Sequence, residues 1–204
     1  YHLSVLNAAS GWTQQFHLGP LRGLNTRIGS ATGPDSGFDS MGDSVIARSL
    51  SRFLNNLDQE QMLARTILYN LNPRDNDLIA SMIGNFQDGT VRGKLQLGPA
   101  WWFNDQVDGM NSQMAALSNS GAISTFVGMV TDSRSFLSYP RHDMFRRLLC
   151  DMFGNDIERG LLPGDYVHLG TVVQDICYNN AVRYFDIPGV EPINYRGREF
   201  CQID

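Results

Sequence analysis

The sequence predicts an α/β fold built on a parallel sheet. Three observations carry that reading: short apolar runs alternate with longer amphipathic stretches, turn-forming residues separate the two kinds, and polar and aromatic residues gather directly after each short run. Strands that alternate with helices must be joined by crossovers, which makes neighbouring strands parallel.

The elements follow in order. A helical tail opens the chain and stops near Ser10-Gly11. The first short run is Trp12 to Leu18 (WTQQFHL), and the Gly-rich stretch Gly29 to Gly37 (GSATGPDSG) reads as a loop. From about Ser44, Ile46, Leu50, Phe53, Leu54 and Leu57 recur at spacings of three and four, one apolar helix face. The second run, Thr66 to Leu71 (TILYNL), is closed by Asn72-Pro73, because proline disfavours a continuing regular element. Leu78, Ile79, Met82, Ile83 and Phe86 mark the next helix, with Asp75 and Asp77 placed where a helix N-terminus favours negative charge. The third run, Lys94 to Leu97 (KLQL), leads into Gly98-Pro99 and Trp101-Trp102, and Val107, Met110, Met114 and Leu117 line a helix stopped by Gly121. The fourth run, Ser124 to Thr131 (STFVGMVT), leads into Asp132-Ser133-Arg134. Phe145, Leu148, Leu149, Met152 and Phe153 form another helix face, and a last helix carries Leu169, Val172, Val173, Ile176 and Tyr184. Residues 1–187 therefore form the folded unit, and 188–204, which show no period, an irregular tail.

Strand, loop, helix, repeated four times, fits either an open doubly wound sheet or part of a (β/α)8 barrel, a complete barrel typically needing about 250 residues. With 204 residues, 42% apolar and 18% charged, the chain has ample material for a core and is not disordered. No run approaches the roughly 20 apolar residues of a membrane-spanning helix. A net charge of −5, with 16 Lys and Arg scattered, lacks the basic footprint of a nucleic-acid binder. Three separated cysteines (Cys150, Cys177, Cys201) make neither a disulfide framework nor a zinc knuckle, which points to a reducing cytoplasm.

In both architectures ligands bind beyond the carboxyl ends of the strands. After the first run come His17, Arg22, Asn25 and Arg27; after the second Asn72, Arg74, Asp75 and Asn76; after the third Trp101, Trp102, Asn104 and Asp105; after the fourth Asp132, Arg134, Arg141 and His142. That rim suits a small polar ligand. Plainer roles compete: a hydrogen-bonded core imidazole for His17, a helix cap for Asp132, surface ion pairs for Arg22 and Arg134, packing for Trp101 and Trp102, and first-turn helix positions for Asp75 and Asp105. The glycine spacing of 29–37 is neither GxGxxG nor a P-loop.

At these same positions the wording becomes specific. Trp12 to Gly19 (WTQQFHLG) with Arg22 and Asn25, Thr66 to Asn76 (TILYNLNPRDN), Met82 to Gln87 (MIGNFQ), Trp101 to Gly109 (WWFNDQVDG), Phe126 to Tyr139 (FVGMVTDSRSFLSY), Arg141-His142 and Ile176 to Phe185 (ICYNNAVRYF) together resemble the uronate (glucuronate) isomerases, in order, from about Gly11 to Phe185. The resemblance implies a (β/α)8 TIM barrel of the metal-dependent amidohydrolase-like type, of which this chain holds strands five to eight. It implies interconversion of D-glucuronate with D-fructuronate, and of D-galacturonate with D-tagaturonate. The family's N-terminal half would carry a His-x-His metal pair, whereas His2 stands without a second histidine two positions away. The missing half, or a neighbouring chain, is then a required partner, and a homo-oligomer is compatible.

Such an isomerisation removes a proton α to a carbonyl, passes through an enediolate and returns the proton to the neighbouring carbon. It needs a positioned base and positive charge at the developing oxyanion. A divalent metal held by imidazole and carboxylate, typically zinc, supplies that charge. By resemblance Asp132 is a metal ligand that also acts in proton transfer, Arg134 beside it binds substrate oxygens or carboxylate, and His17 completes the catalytic set as a metal ligand or as a contact to substrate or to a ligand of the metal. Arg22 is the clamp for the sugar carboxylate, and Trp102 and Asn25 complete the substrate contacts. A metal-dependent hydrolase and an inactive half-barrel awaiting a partner are the alternatives. Thr66 to Asn72 offers no histidine for a hydrolase's metal site.

Overall fold

The computed structural model describes residues 1–133 and 135–193. Five strands occur among them: β1 (Gln14–Leu18), β2 (Pro20–Leu21), β3 (Ser40–Met41), β4 (Thr66–Asn70) and β5 (Leu95–Leu97). β1, β4 and β5 form a parallel sheet in sequence order, with Gln14 opposite Thr66, Leu18 opposite Asn70, and Thr66 to Leu68 opposite Leu95 to Leu97. The expected parallel pairing of the first three runs is therefore present.

Burial explains the composition of each strand. β4 has neighbours on both edges and is buried along its whole length, which is why TILYN carries no charge. Its buried Thr66 hydroxyl accepts from the Gln14 side-chain amide at 2.8 Å and donates to the Ala64 carbonyl at 2.8 Å. β1 is two-faced. Phe16 and Leu18 turn towards the helices, Phe16 meeting Phe53 edge-on at 5.5 Å, while Gln15 and His17 are exposed on the other face.

Eight α-helices surround the sheet among the described residues: α1 (His2–Ala9), α2 (Thr26–Thr32), α3 (Ala47–Gln59), α4 (Asn76–Ile83), α5 (Val107–Ser120), α6 (Arg141–Glu158), α7 (Tyr166–Gln174) and α8 (Asn180–Phe185). α3 turns Leu50, Leu54 and Leu57 inward, as its spacing predicts. α4 packs on β5 and on α5, which buries Met110, Met114 and Leu117. Arg65 ties the foot of the sheet together, donating to the carbonyls of Tyr184 at 2.6 Å and Gly11 at 2.7 Å.

Three details differ from the sequence reading. The fourth run makes no ladder with β5. Residues 123–125 form a 3₁₀ turn, and the buried segment Phe126 to Met129 is held by side chains instead. The Gln96 amide acts as a substitute rung, donating to the Thr125 carbonyl and accepting from the Val127 N–H, both at 3.0 Å. The Asn180 amide donates to the carbonyls of Ser124 and Phe126, both at 2.9 Å. Gly128 breaks the extended path with φ +80°; a Cβ there would lie 2.4 Å from the Ile176 carbonyl oxygen.

The Gly29 to Gly37 stretch is only partly loop, because Asn25 caps α2 by accepting from the Ile28 N–H, and the helix runs to Thr32. The last helix is interrupted by a π-helical turn at Asp175–Asn179, between α7 and α8. The tail is tied through Ile193, whose N–H and C=O both bond the Asn179 amide; residues 194–204 lie outside the described residues.

Candidate functional site

The candidate site forms at the carboxyl ends of β1, β4 and β5. Alternation along β1 presents Gln15 and His17 on one face, and register sets Tyr69 of β4 beside His17. The rings of His17 and Tyr69 stack at 4.6 Å with 5° between their planes. Trp101 closes on His17 from the β5 side, also at 4.6 Å, and its indole N–H donates to Asp132 Oδ2 at 3.2 Å. Trp102 lies 4.9 Å from Trp101, and the Arg22 guanidinium sits over the Trp102 ring at 5.1 Å. Three segments of the chain therefore supply one series of contacts, from Arg22 through Trp102 to Trp101, which meets both His17 and Asp132.

Local structure makes this arrangement achievable. Tyr69 is buried, and its ring passes across the end of β5 only because position 98 is glycine: an added Cβ would meet the ring at 2.6 Å. The Tyr69 hydroxyl donates to Gln15 Oε1 at 2.6 Å. Burial, reinforced by the negative charge of Asp132, raises the phenol well above its ordinary range, so Tyr69 is a neutral donor at any physiological pH. Trp102 and Asp132 are both left-handed, at φ +52° and +44°. Such backbone costs about 1–3 kcal/mol per residue in non-glycine positions and gathers at functional sites.

A buried ion pair anchors the approach to Asp132. Arg141 pairs with Asp105 and also donates to the Thr131 carbonyl at 2.6 Å, next to Asp132. Asp105 is thus a buried partner of Arg141 rather than a first-turn helix residue, a place taken by Asp108. Asp75 likewise pairs with Arg74 at 3.0 Å as α4 begins.

Of the residues named from sequence, His17, Asp132, Trp102 and Arg22 come together on this rim. Arg22 is engaged by two carboxylates, pairing with Asp35 and, at 3.2 Å, with Asp39. It stands beside an open cavity of about 530 Å³ bounded by the Gly-rich loop. Asn25 is committed to capping α2. Arg134 lies outside the described residues. Tyr69, Gln15 and Asp39 went unnamed. Period-two alternation from His17 would reach Gln15, whereas Tyr69 is hidden in an apolar run and Asp39 lies between the Gly-rich stretch and β3.

The donor set bears on a metal. Asp132 and His17 offer one carboxylate and one imidazole on the same rim, the right chemistry for a divalent cation. Among the described residues no group of three His, Cys, Asp or Glu side chains converges. No helix among the described residues is long and apolar enough to cross a membrane.

A parallel α/β sheet with titratable and aromatic groups massed at its carboxyl ends defines the class of α/β enzyme whose ligand sits on that rim. The profile of the glucuronate isomerase family matches residues 1–185, and the chain belongs to that family. It is 60% identical over 175 residues to a uronate isomerase of Flavobacterium johnsoniae, covering 86% of this chain and 38% of the relative. Against a uronate isomerase of Cellvibrio japonicus it is 57% identical over 177 residues, covering 87% and 38%. Among solved structures it resembles uronate isomerase from Thermotoga maritima, with TM-score 0.80, 31% identity and coverage of 90% and 39%. It also resembles glucuronate isomerase from Caulobacter crescentus, with TM-score 0.78, 25% identity and coverage of 92% and 38%. The chain spans about 38% of the length of the curated relatives it matches.

Proposed function

We propose that this chain is the portion of a uronate isomerase that closes the second half of a (β/α)8 barrel and carries the acid–base and carboxylate-recognition groups of its site. The substrates are D-glucuronate and D-galacturonate in their open-chain forms, isomerised to D-fructuronate and D-tagaturonate. The observation that carries the reading is the Trp101-held carboxylate of Asp132 on one rim with His17 and Arg22, in a chain of this family.

With Oδ2 of Asp132 held by the indole N–H, Oδ1 is the oxygen left for chemistry: it takes the proton from the carbon α to the aldehyde and returns it to the neighbouring carbon. The left-handed backbone at Asp132 and the Arg141 contact at Thr131 keep that carboxylate in place without a neighbouring strand. Trp101 and Trp102 exclude water on one side, which strengthens every charge interaction at the rim. Arg22 receives the uronate carboxylate, for which a planar guanidinium is suited. A divalent cation bound through Asp132 and His17, with further ligands from outside this chain, would supply Lewis-acid stabilisation of the enediolate oxygens.

The test is a hybrid in which this chain replaces the matching segment of the Flavobacterium johnsoniae relative. The hybrid is expected to convert D-glucuronate to D-fructuronate. Asp132→Asn is expected to lower kcat by about 10²-fold or more with thermal melting unchanged, as for loss of a proton-transfer group. Turnover within threefold of the unmodified hybrid would remove Asp132 from the mechanism, and a well-folded hybrid with no activity on either uronate would remove the reading itself.

A further inference from the structure

We infer that Asp39 is a positioning residue that sets Arg22 for its carboxylate ligand, and that Asp35 occupies the place this ligand takes. The inference rests on the reading that Arg22 receives the substrate carboxylate. It arises from the short antiparallel pair β2–β3, which no feature of the sequence announced.

Pro20 lies opposite Met41 and Leu21 opposite Ser40, so the next step outward brings Arg22 against Asp39. The Asp39 carboxylate then does two things at once. Oδ1 accepts the Gly23 N–H at 2.9 Å, and Oδ2 faces Arg22 Nε at 3.2 Å. One carboxylate thereby binds the backbone just after Arg22 and the inner edge of its guanidinium. The Asp39 side chain is only 15% exposed, so this grip is shielded from competing water. With Nε held and the guanidinium resting on the Trp102 ring at 5.1 Å, the outer edge of Arg22 is aimed along the rim.

That outer edge is where Asp35 sits. Arg22 Nη2 pairs with Asp35 Oδ1, and the two side chains are 49% and 61% exposed. An exposed pair of this kind is worth little, so another carboxylate exchanges with it at small cost. Replacing one carboxylate by another leaves the charge balance around Arg22 unchanged. The two aspartates are therefore unequal: Asp39 is the fixed support, and Asp35 the internal stand-in for a uronate carboxylate.

The two substitutions should move KM for D-glucuronate in opposite directions. In the hybrid, Asp39→Asn retains a carbonyl oxygen for the Gly23 N–H, so the turn survives while the negative charge facing Arg22 Nε is lost. KM is expected to rise roughly tenfold with kcat within about threefold, the signature of lost binding rather than lost chemistry. In an Arg22→Ala background the same substitution is expected to change KM by no more than about twofold, because its effect passes through Arg22. Asp35→Asn is expected to lower KM by about two- to threefold, since a competitor is removed.

An unchanged KM in Asp39→Asn, or an equal rise with Arg22 already absent, would overturn the positioning role. A rise in KM for Asp35→Asn would overturn the exchange. A hybrid that is folded but inactive before any substitution reports instead on the proposed function, so the two failures are separable.

Discussion

Two regions of this molecule carry the rim in different ways. β1, β4 and β5 hold His17 and Tyr69 through a continuous backbone ladder. The segment from Ser124 to Asp132 reaches the same rim with no ladder, suspended from the amides of Gln96 and Asn180 and from Arg141. A ladder spreads its hydrogen bonds over many residues and depends little on side-chain identity. A suspended segment concentrates them on three side chains. The contrast teaches that the backbone carrying Asp132 rests on a few distant side chains, whereas the backbone positions of His17 and Tyr69 rest on no single side chain.

The sharpest test of the contrast is Leu68→Ala, at the centre of β4, where the side chain is fully buried. In urea unfolding of the hybrid it is expected to cost about 3–4 kcal/mol, the sum of lost transfer energy and a residual cavity. At temperatures where the variant stays folded, its kcat should lie near that of the unmodified hybrid.

Asn180→Ala should show the reverse balance. The buried carbonyl of Phe126 and the half-buried one of Ser124 lose their donor, at an expected cost of about 2–3 kcal/mol. The displaced segment should lower kcat by roughly tenfold or more, since small misplacements of a catalytic group are costly. Equal losses of turnover in Leu68→Ala and Asn180→Ala would erase the distinction between the regions.

The smallest effect belongs to the turn that feeds β5. Lys94 Nζ pairs with Asp88 at 2.5 Å, and the Lys94 hydrogen bond, followed by those from Thr90, holds the Asp88 carboxyl below the usual carboxylate range. A depressed folded-state pKa contributes stability that is complete above the ordinary carboxylate pKa and is lost as pH falls through the folded value. Asp88→Asn should therefore cost less than about 1 kcal/mol at pH 7, a partly exposed pair being screened by solvent. The difference should vanish under strongly acidic conditions. Urea midpoints of the two proteins across an acid titration would check both the size and the sign.

Much of this was legible in advance. Three strands, the apolar faces of α3, α4 and α5, and the rim positions of His17, Trp102 and Asp132 follow from period and punctuation, because burial imposes a pattern on neighbours along the chain. Tyr69 was not legible as a site residue, since in TILYN an aromatic facing a ligand and one facing the core look alike. The fourth run was misread for a related reason. STFVGMVT is apolar enough for a buried strand, and it is buried, but the sequence does not reveal that Gln96 and Asn180 replace the neighbouring strand or that Gly128 must pass the Ile176 carbonyl.

The amino-acid order alone determined three of the parallel-sheet strands and the main helices, which faces are apolar, and which family's wording the rim repeats. These are properties of residues a few positions apart, set by side-chain period and local backbone preference. The tertiary structure decided that the Trp101 N–H meets Asp132, that Asp105 closes on Arg141, and that Asp39 and Asp35 share Arg22. Each of those joins separate loops or the two ends of one. Hydrogen bonds and ion pairs depend on distances of a few ångströms and on direction, and no spacing along a chain encodes either until the loops have folded.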